Sequence, residues 1–115
     1  MIRIFFCNIF FPDPANILSV TSSAPKSWIG HTVTLNCVSD GVPTSKLTWY
    51  KPDGTKLSTD IAKESTVKMT PTDDQDFGEY KCVAYNGLDP SNDASLTLGQ
   101  IRMRQLNVQV FEKFL

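Results

Sequence analysis

An all-β fold of antiparallel strands is what this sequence predicts, on three observations. Short segments alternate apolar and polar residues with period two, as half-buried strands do. Val33, Leu35 and Cys37 alternate with Thr32, Thr34 and Asn36. Leu47 and Trp49 alternate with Lys46, Thr48 and Tyr50, and Tyr80, Cys82 and Ala84 with Glu79, Lys81, Val83 and Tyr85. Clusters of Gly, Pro, Asp and Ser separate these segments and supply the backbone freedom that turns need. Finally, Cys37, Trp49, Tyr80 and Cys82 follow one another on the side of their strands that alternation turns inward.

Taken in order, residues 1–15 lie outside the strand pattern. Met1 to Phe11 pairs a basic Arg3 with an apolar run broken by Asn8. That composition fits either a short secretory signal or the artificial start of a fragment, and Asp13 makes a poor cleavage context before Ala15. The run is too short to span a bilayer as a helix, and Cys7 within it has no evident partner. Ile17 to Ser23 reads as an edge strand, with Pro14 before it and Pro25 after it. Trp28 is expected to cap one end of the core, with Gly30 as a turn residue. The strand through Cys37 gives way to a loop over 39–45. The strand carrying Trp49 ends in Lys51-Pro52-Asp53-Gly54-Thr55, a proline-then-Asp-Gly turn. Lys56 to Ser58 returns as a short strand, residues 59–65 are polar and weakly patterned, and Thr66 to Thr70 alternates with Val67 and Met69 inward. Pro71 stops it.

An aspartate-rich turn, Thr72 to Phe77, then ends at Gly78, where a missing side chain permits backbone angles others resist. After the strand through Tyr85, a hairpin loop over 86–92 leads to a last strand, Ala94 to Gly99, with Leu96 and Leu98 inward. Residues 101–115 form a tail whose apolar spacing fits a strand or a helix equally; its charged residues argue against a membrane span.

Tyr80 two residues before Cys82, with a tight turn upstream, resembles the tyrosine corner of immunoglobulin-like domains, and Cys37…Trp49…Tyr80-x-Cys82 matches that family's order over roughly residues 17–99. The resemblance implies a two-sheet antiparallel immunoglobulin-like sandwich over 16–100. The short interval between the cysteines places it nearer the I-set or C2 type than the variable type. It also implies a Cys37–Cys82 disulfide, worth about 4 kcal/mol in the chain-entropy model, and with it an oxidising, extracellular or secretory setting. Related domains of intracellular structural proteins keep such cysteines reduced. Trp49, Asp76, Gly78 and Tyr80 are the expected core motif.

Composition narrows the function. With 11 basic and 12 acidic residues the net charge is -1, which gives no electrostatic case for nucleic acid or an anionic membrane. Asp76-Phe77-Gly78 matches a kinase triplet, yet no glycine-rich nucleotide loop or catalytic His-Arg-Asp accompanies it. Asp73, Asp74 and Asp76 do not have EF-hand spacing; a solvated turn suits them, with Asp76 bonding to backbone or pairing with Lys63 or Lys68. His31 has no catalytic companion at useful spacing. No enzyme, cofactor or metal site is expected, and no Asn-x-Ser/Thr sequon occurs.

Once Cys37, Trp49 and Cys82 are placed inside, alternation sends Thr48, Tyr50, Lys81, Val83, Tyr85 and Thr97 to one outer face. Tyrosine offers large contact area with a polar tip, which interfaces favour, so this face is the candidate for protein binding; the loop at 86–92 is a second candidate. The resemblance implies an extracellular binding module of an adhesion or receptor protein with a homophilic or heterophilic protein partner. Two other roles remain: a spacer in a multi-domain array, and a secreted immune-type recognition domain.

Overall fold

The structure, a computed structural model, describes residues 11–101. Eight strands appear in order: β1 (Asp13–Ser22), β2 (Lys26–Ser27), β3 (Val33–Val42), β4 (Lys46–Tyr50), β5 (Lys56–Ile61), β6 (Glu64–Met69), β7 (Gly78–Tyr85) and β8 (Asn92–Gln100). They form a three-stranded sheet ordered β1-β3-β6 and a five-stranded sheet ordered β2-β8-β7-β4-β5. Every pairing is antiparallel except β2 with β8. No helix among the described residues is long and apolar enough to cross a membrane.

The core lies between the sheets and is drawn from the inward set. Val33, Leu35, Cys37, Leu47, Trp49, Tyr80, Cys82, Ala84 and Leu98 are all essentially inaccessible. Trp49 stands opposite Cys82 in the β4–β7 ladder. The disulfide Cys37–Cys82, with Cα atoms 6.5 Å apart, ties β3 of one sheet to β7 of the other. Leu96 and Val67, half-buried, pack against this cluster.

Several boundaries differ from expectation, each for a long-range reason. β1 begins at Asp13, inside the segment assigned to the leader, and Ala15 is buried. Side chains from the far end of the chain hold it there. Asn86 Nδ2 donates to the carbonyls of Asp13 (2.7 Å) and Pro43 (3.0 Å), and the Ile17 N–H donates to Asn92 Oδ1 at 2.7 Å. Gly41 belongs to the same junction. Its φ is +138°, and a Cβ there would come within 3.0 Å of Ala15 Cα and Asn86 Nδ2. The expected loop over 39–45 is accordingly shorter, because β3 runs on to Val42 and pairs with Asp13.

The weakly patterned stretch 59–65 is where the chain changes sheets. β5 pairs with β4 through Ile61, and β6 joins β3 from Glu64. Asp60 Oδ2 accepts from the buried Ser65 hydroxyl at 2.9 Å across that switch. Trp28 does not cap the core; it is half-buried and stacks on His31, ring centroids 4.0 Å apart.

Candidate functional site

The turn before β7 is a fully bonded corner. A single 3-10 turn, Asp74–Asp76, is closed by a capping box in which the Gln75 N–H donates to Asp73 Oδ1 (2.8 Å) and the Asp73 N–H donates to Asp76 Oδ2 (3.4 Å). Asp76 is only 6% exposed. Its carboxylate also accepts from the Thr72 N–H (2.7 Å) and hydroxyl (3.0 Å), and it pairs with Lys51 Nζ at 3.0 Å. Lys51, rather than Lys63 or Lys68, is the cation that neutralises it: β4 runs beside β7 in the same sheet, while Lys68 belongs to the other one. Burial alone would raise the Asp76 pKa. The Thr72 N–H, the Lys51 ammonium and the Thr72 hydroxyl outweigh it and bring it to about 2. Lys51 is raised in turn, chiefly by its hydrogen bond to Asp76.

Tyr80 completes the corner. Its hydroxyl donates to the Asp76 carbonyl at 2.6 Å, and its ring is fully buried. Burial, reinforced by the charge of Asp76, pushes this hydroxyl up to about 12. The corner is therefore a structural element, with its polar groups consumed internally.

The outer face of the five-stranded sheet is different. Side by side across β4, β7 and β8 lie Tyr50, Lys81 and Ser95, and in the next rows Thr48 with Val83, and Glu79 with Thr97. Tyr50, Lys51, Pro52, Gly54, Glu79, Lys81 and Val83 line an open depression of about 310 Å³. The turn after β4 forms its wall. That turn is held by a Lys51 N–H bond to the Thr55 carbonyl (2.8 Å) and a Gly54 N–H bond to the Lys51 carbonyl (2.9 Å). Gly78 lets it sit close: with φ at +133°, a Cβ there would lie 3.3 Å from Pro52 Cβ. Glu79 is oriented by the Ser95 hydroxyl, 2.7 Å from Oε2.

Of the six residues expected on this face, Tyr50, Lys81 and Val83 come together at the depression. Thr97 is exposed beside Glu79 but does not line it. Tyr85 is 38% exposed and lies toward the opposite end of β7, its hydroxyl 3.4 Å from Asp89 Oδ1 in the 86–92 loop. Thr48 is a correction: it points outward but is only 8% exposed, set between Val83 of β7 and Thr59 of β5. Lys51, Pro52 and Gly54 were not anticipated at the site; their only sequence signal is a tight turn directly after Tyr50.

Residues 16–86 match the family pattern described as an immunoglobulin domain. Among curated relatives, the neural cell adhesion molecule L1 of Takifugu rubripes is 35% identical over 60 residues, covering 50% of this chain and 5% of the relative. Human Brother of CDO is 32% identical over 108 residues, covering 90% of this chain and 8% of the relative. The chain thus spans a small fraction of each relative's length. Among solved structures, a chain of the complex of Dpr11 IG1 bound to DIP-gamma IG+IG2 aligns with a TM-score of 0.63 at 24% identity, covering 79% of this chain and 49% of that one. Titin M4 aligns with a TM-score of 0.64 at 17% identity, covering 79% and 99%. These likenesses concern the fold.

Proposed function

The chain belongs to the immunoglobulin domain family, and from that premise we propose that it is an extracellular protein-binding module of an adhesion or receptor protein. It engages its partner through the outer face of the five-stranded sheet, without turnover. One observation carries this reading: at the depression bounded by Tyr50, Val83 and the Lys51–Gly54 turn, aromatic, aliphatic and oppositely charged groups converge on that face. Concave surfaces of that composition suit an inserted side chain. The relatives' adhesion names and the disulfide support the extracellular setting.

Screening the chain, multimerised for avidity, against a panel of extracellular immunoglobulin-domain proteins tests the proposal. The expected result is a specific partner whose binding is lost on Tyr50→Ser while thermal stability stays near wild type. Binding that survives Tyr50→Ser unchanged rejects the face.

A spacer role is the second reading, favoured by apolar groups at the end where β1 starts. Phe11 (66% exposed), Val42, which pairs with Asp13, and Ile61 (74% exposed) sit there. Thiol labelling of native protein separates its intracellular form, in which Cys37 and Cys82 react as free thiols.

A further inference from the structure

Two sheets leave four edge strands, and an unpaired edge is a template for another chain unless it is blunted. Three of the four are blunted here. β1 contains Pro14 and two register irregularities, β2 is two residues long, and β5 has an irregularity at Leu57, between the residues that face Trp49 and Tyr50. β6 has none of these. Its six residues, Glu64–Met69, pair with β3 in unbroken register and contain no proline, and among the described residues its other side has no strand neighbour.

The residues on this open strand are self-complementary. Ser65 and Met69 are buried and Val67 half-buried, while Glu64, Thr66 and Lys68 are exposed on the outer face. Their β3 neighbours on that face are Val38, Asn36 and Thr34, none of them charged. Among the described residues the ion pair found is Lys51–Asp76, so Glu64 and Lys68 pair with no opposite charge there. Glu64 and Lys68 are equidistant from Thr66. A second β6 added antiparallel about a two-fold axis at Thr66 therefore sets Glu64 opposite Lys68 of the other copy, twice, with Thr66 meeting its own counterpart. Opposite charges directly across an antiparallel pair stabilise it, and like charges oppose it. A parallel, in-register neighbour would instead stack Glu64 on Glu64 and Lys68 on Lys68. An isologous arrangement of this kind closes on itself as a dimer.

We propose that the β6 edge is a homotypic docking edge, on which a second copy of this chain joins the two three-stranded sheets into one six-stranded sheet. This surface is independent of the outer face of the five-stranded sheet. A single strand pair belongs to the small, transient interface class, below about 1,200 Å², so the dimer is weak and concentration-dependent.

Sedimentation equilibrium of the chain at concentrations up to about 1 mM tests it with two charge reversals, Glu64→Lys and Lys68→Glu. Wild type is expected to dimerise, and each variant alone to dimerise about tenfold more weakly because two attractions become two repulsions. An equimolar mixture of the two variants is expected to recover the wild-type affinity, since each then offers the charge the other lacks; that recovery also shows both are folded. Tyr50→Ser is expected to dimerise as wild type does. A wild-type chain that stays monomeric throughout, including one whose edge prefers a foreign strand, overturns the proposal. So does a dimer indifferent to both reversals, a mixture that does not recover, or a dimer lost on Tyr50→Ser.

Discussion

Tyr80 and Lys81 are adjacent on β7 and live in opposite environments. Tyr80 is fully buried with its hydroxyl committed to the Asp76 carbonyl, whereas Lys81 is exposed on the rim of an open depression. The same division runs the length of the strand, with Cys82 and Ala84 inside and Glu79, Val83 and Tyr85 outside. Inside, the disulfide and the corner hydrogen bonds fix each group to a specific partner. Outside, Glu79 is bonded to the Ser95 hydroxyl, while Lys81 and Val83 line the open depression. One strand thus separates what holds the fold from what is available for recognition, and substitutions on its two sides should fail differently.

The largest expected loss lies inside. Replacing Cys82 by Ala removes the tie between the sheets and costs roughly 2–5 kcal/mol, which denaturant unfolding measures directly. Next comes Asp76→Asn, which leaves a poorly exposed Lys51 without its counter-charge and weakens the Thr72 bonds; the expected cost is about 2–3 kcal/mol. Acid titration sharpens that test. In the unfolded chain this carboxyl has its ordinary value of 3.8, and in the fold about 2, so folding favours the charged form. Its contribution, roughly 2 kcal/mol, is complete above 3.8 and fades as pH falls from there toward 2. Unfolding free energies measured across that range should lose this slope in Asp76→Asn. Tyr80→Phe is milder, about 1 kcal/mol for one buried hydrogen bond and roughly 5 °C in a thermal melt. Smallest is Tyr85→Ser, outside, expected to shift stability by less than about 0.5 kcal/mol.

Much of the inner side was legible from the sequence, because alternation is local and the order Cys37, Trp49, Tyr80, Cys82 constrains which residues face one another. The outer side was legible only as a set of residues. Alternation says that Thr48 points outward, but not that its neighbours cover it. It puts Tyr50 and Tyr85 on one face without revealing that they stand at different ends of it. The rest depended on contacts distant in sequence. Asn86 reaches Asp13 across 73 residues, and Lys51 reaches Asp76 while Lys68 offered a nearer candidate. Polar side chains in loops carry no periodicity to announce such partners.

Amide chemical-shift mapping by NMR, with the partner from the binding screen titrated into labelled chain, tests the division of labour most directly. The expected perturbations fall on residues 50–54 and 79–83, with β3 and β6 silent at dilute concentration. Perturbations confined to Phe11, Val42 and Ile61, or to the three-stranded sheet, would contradict it.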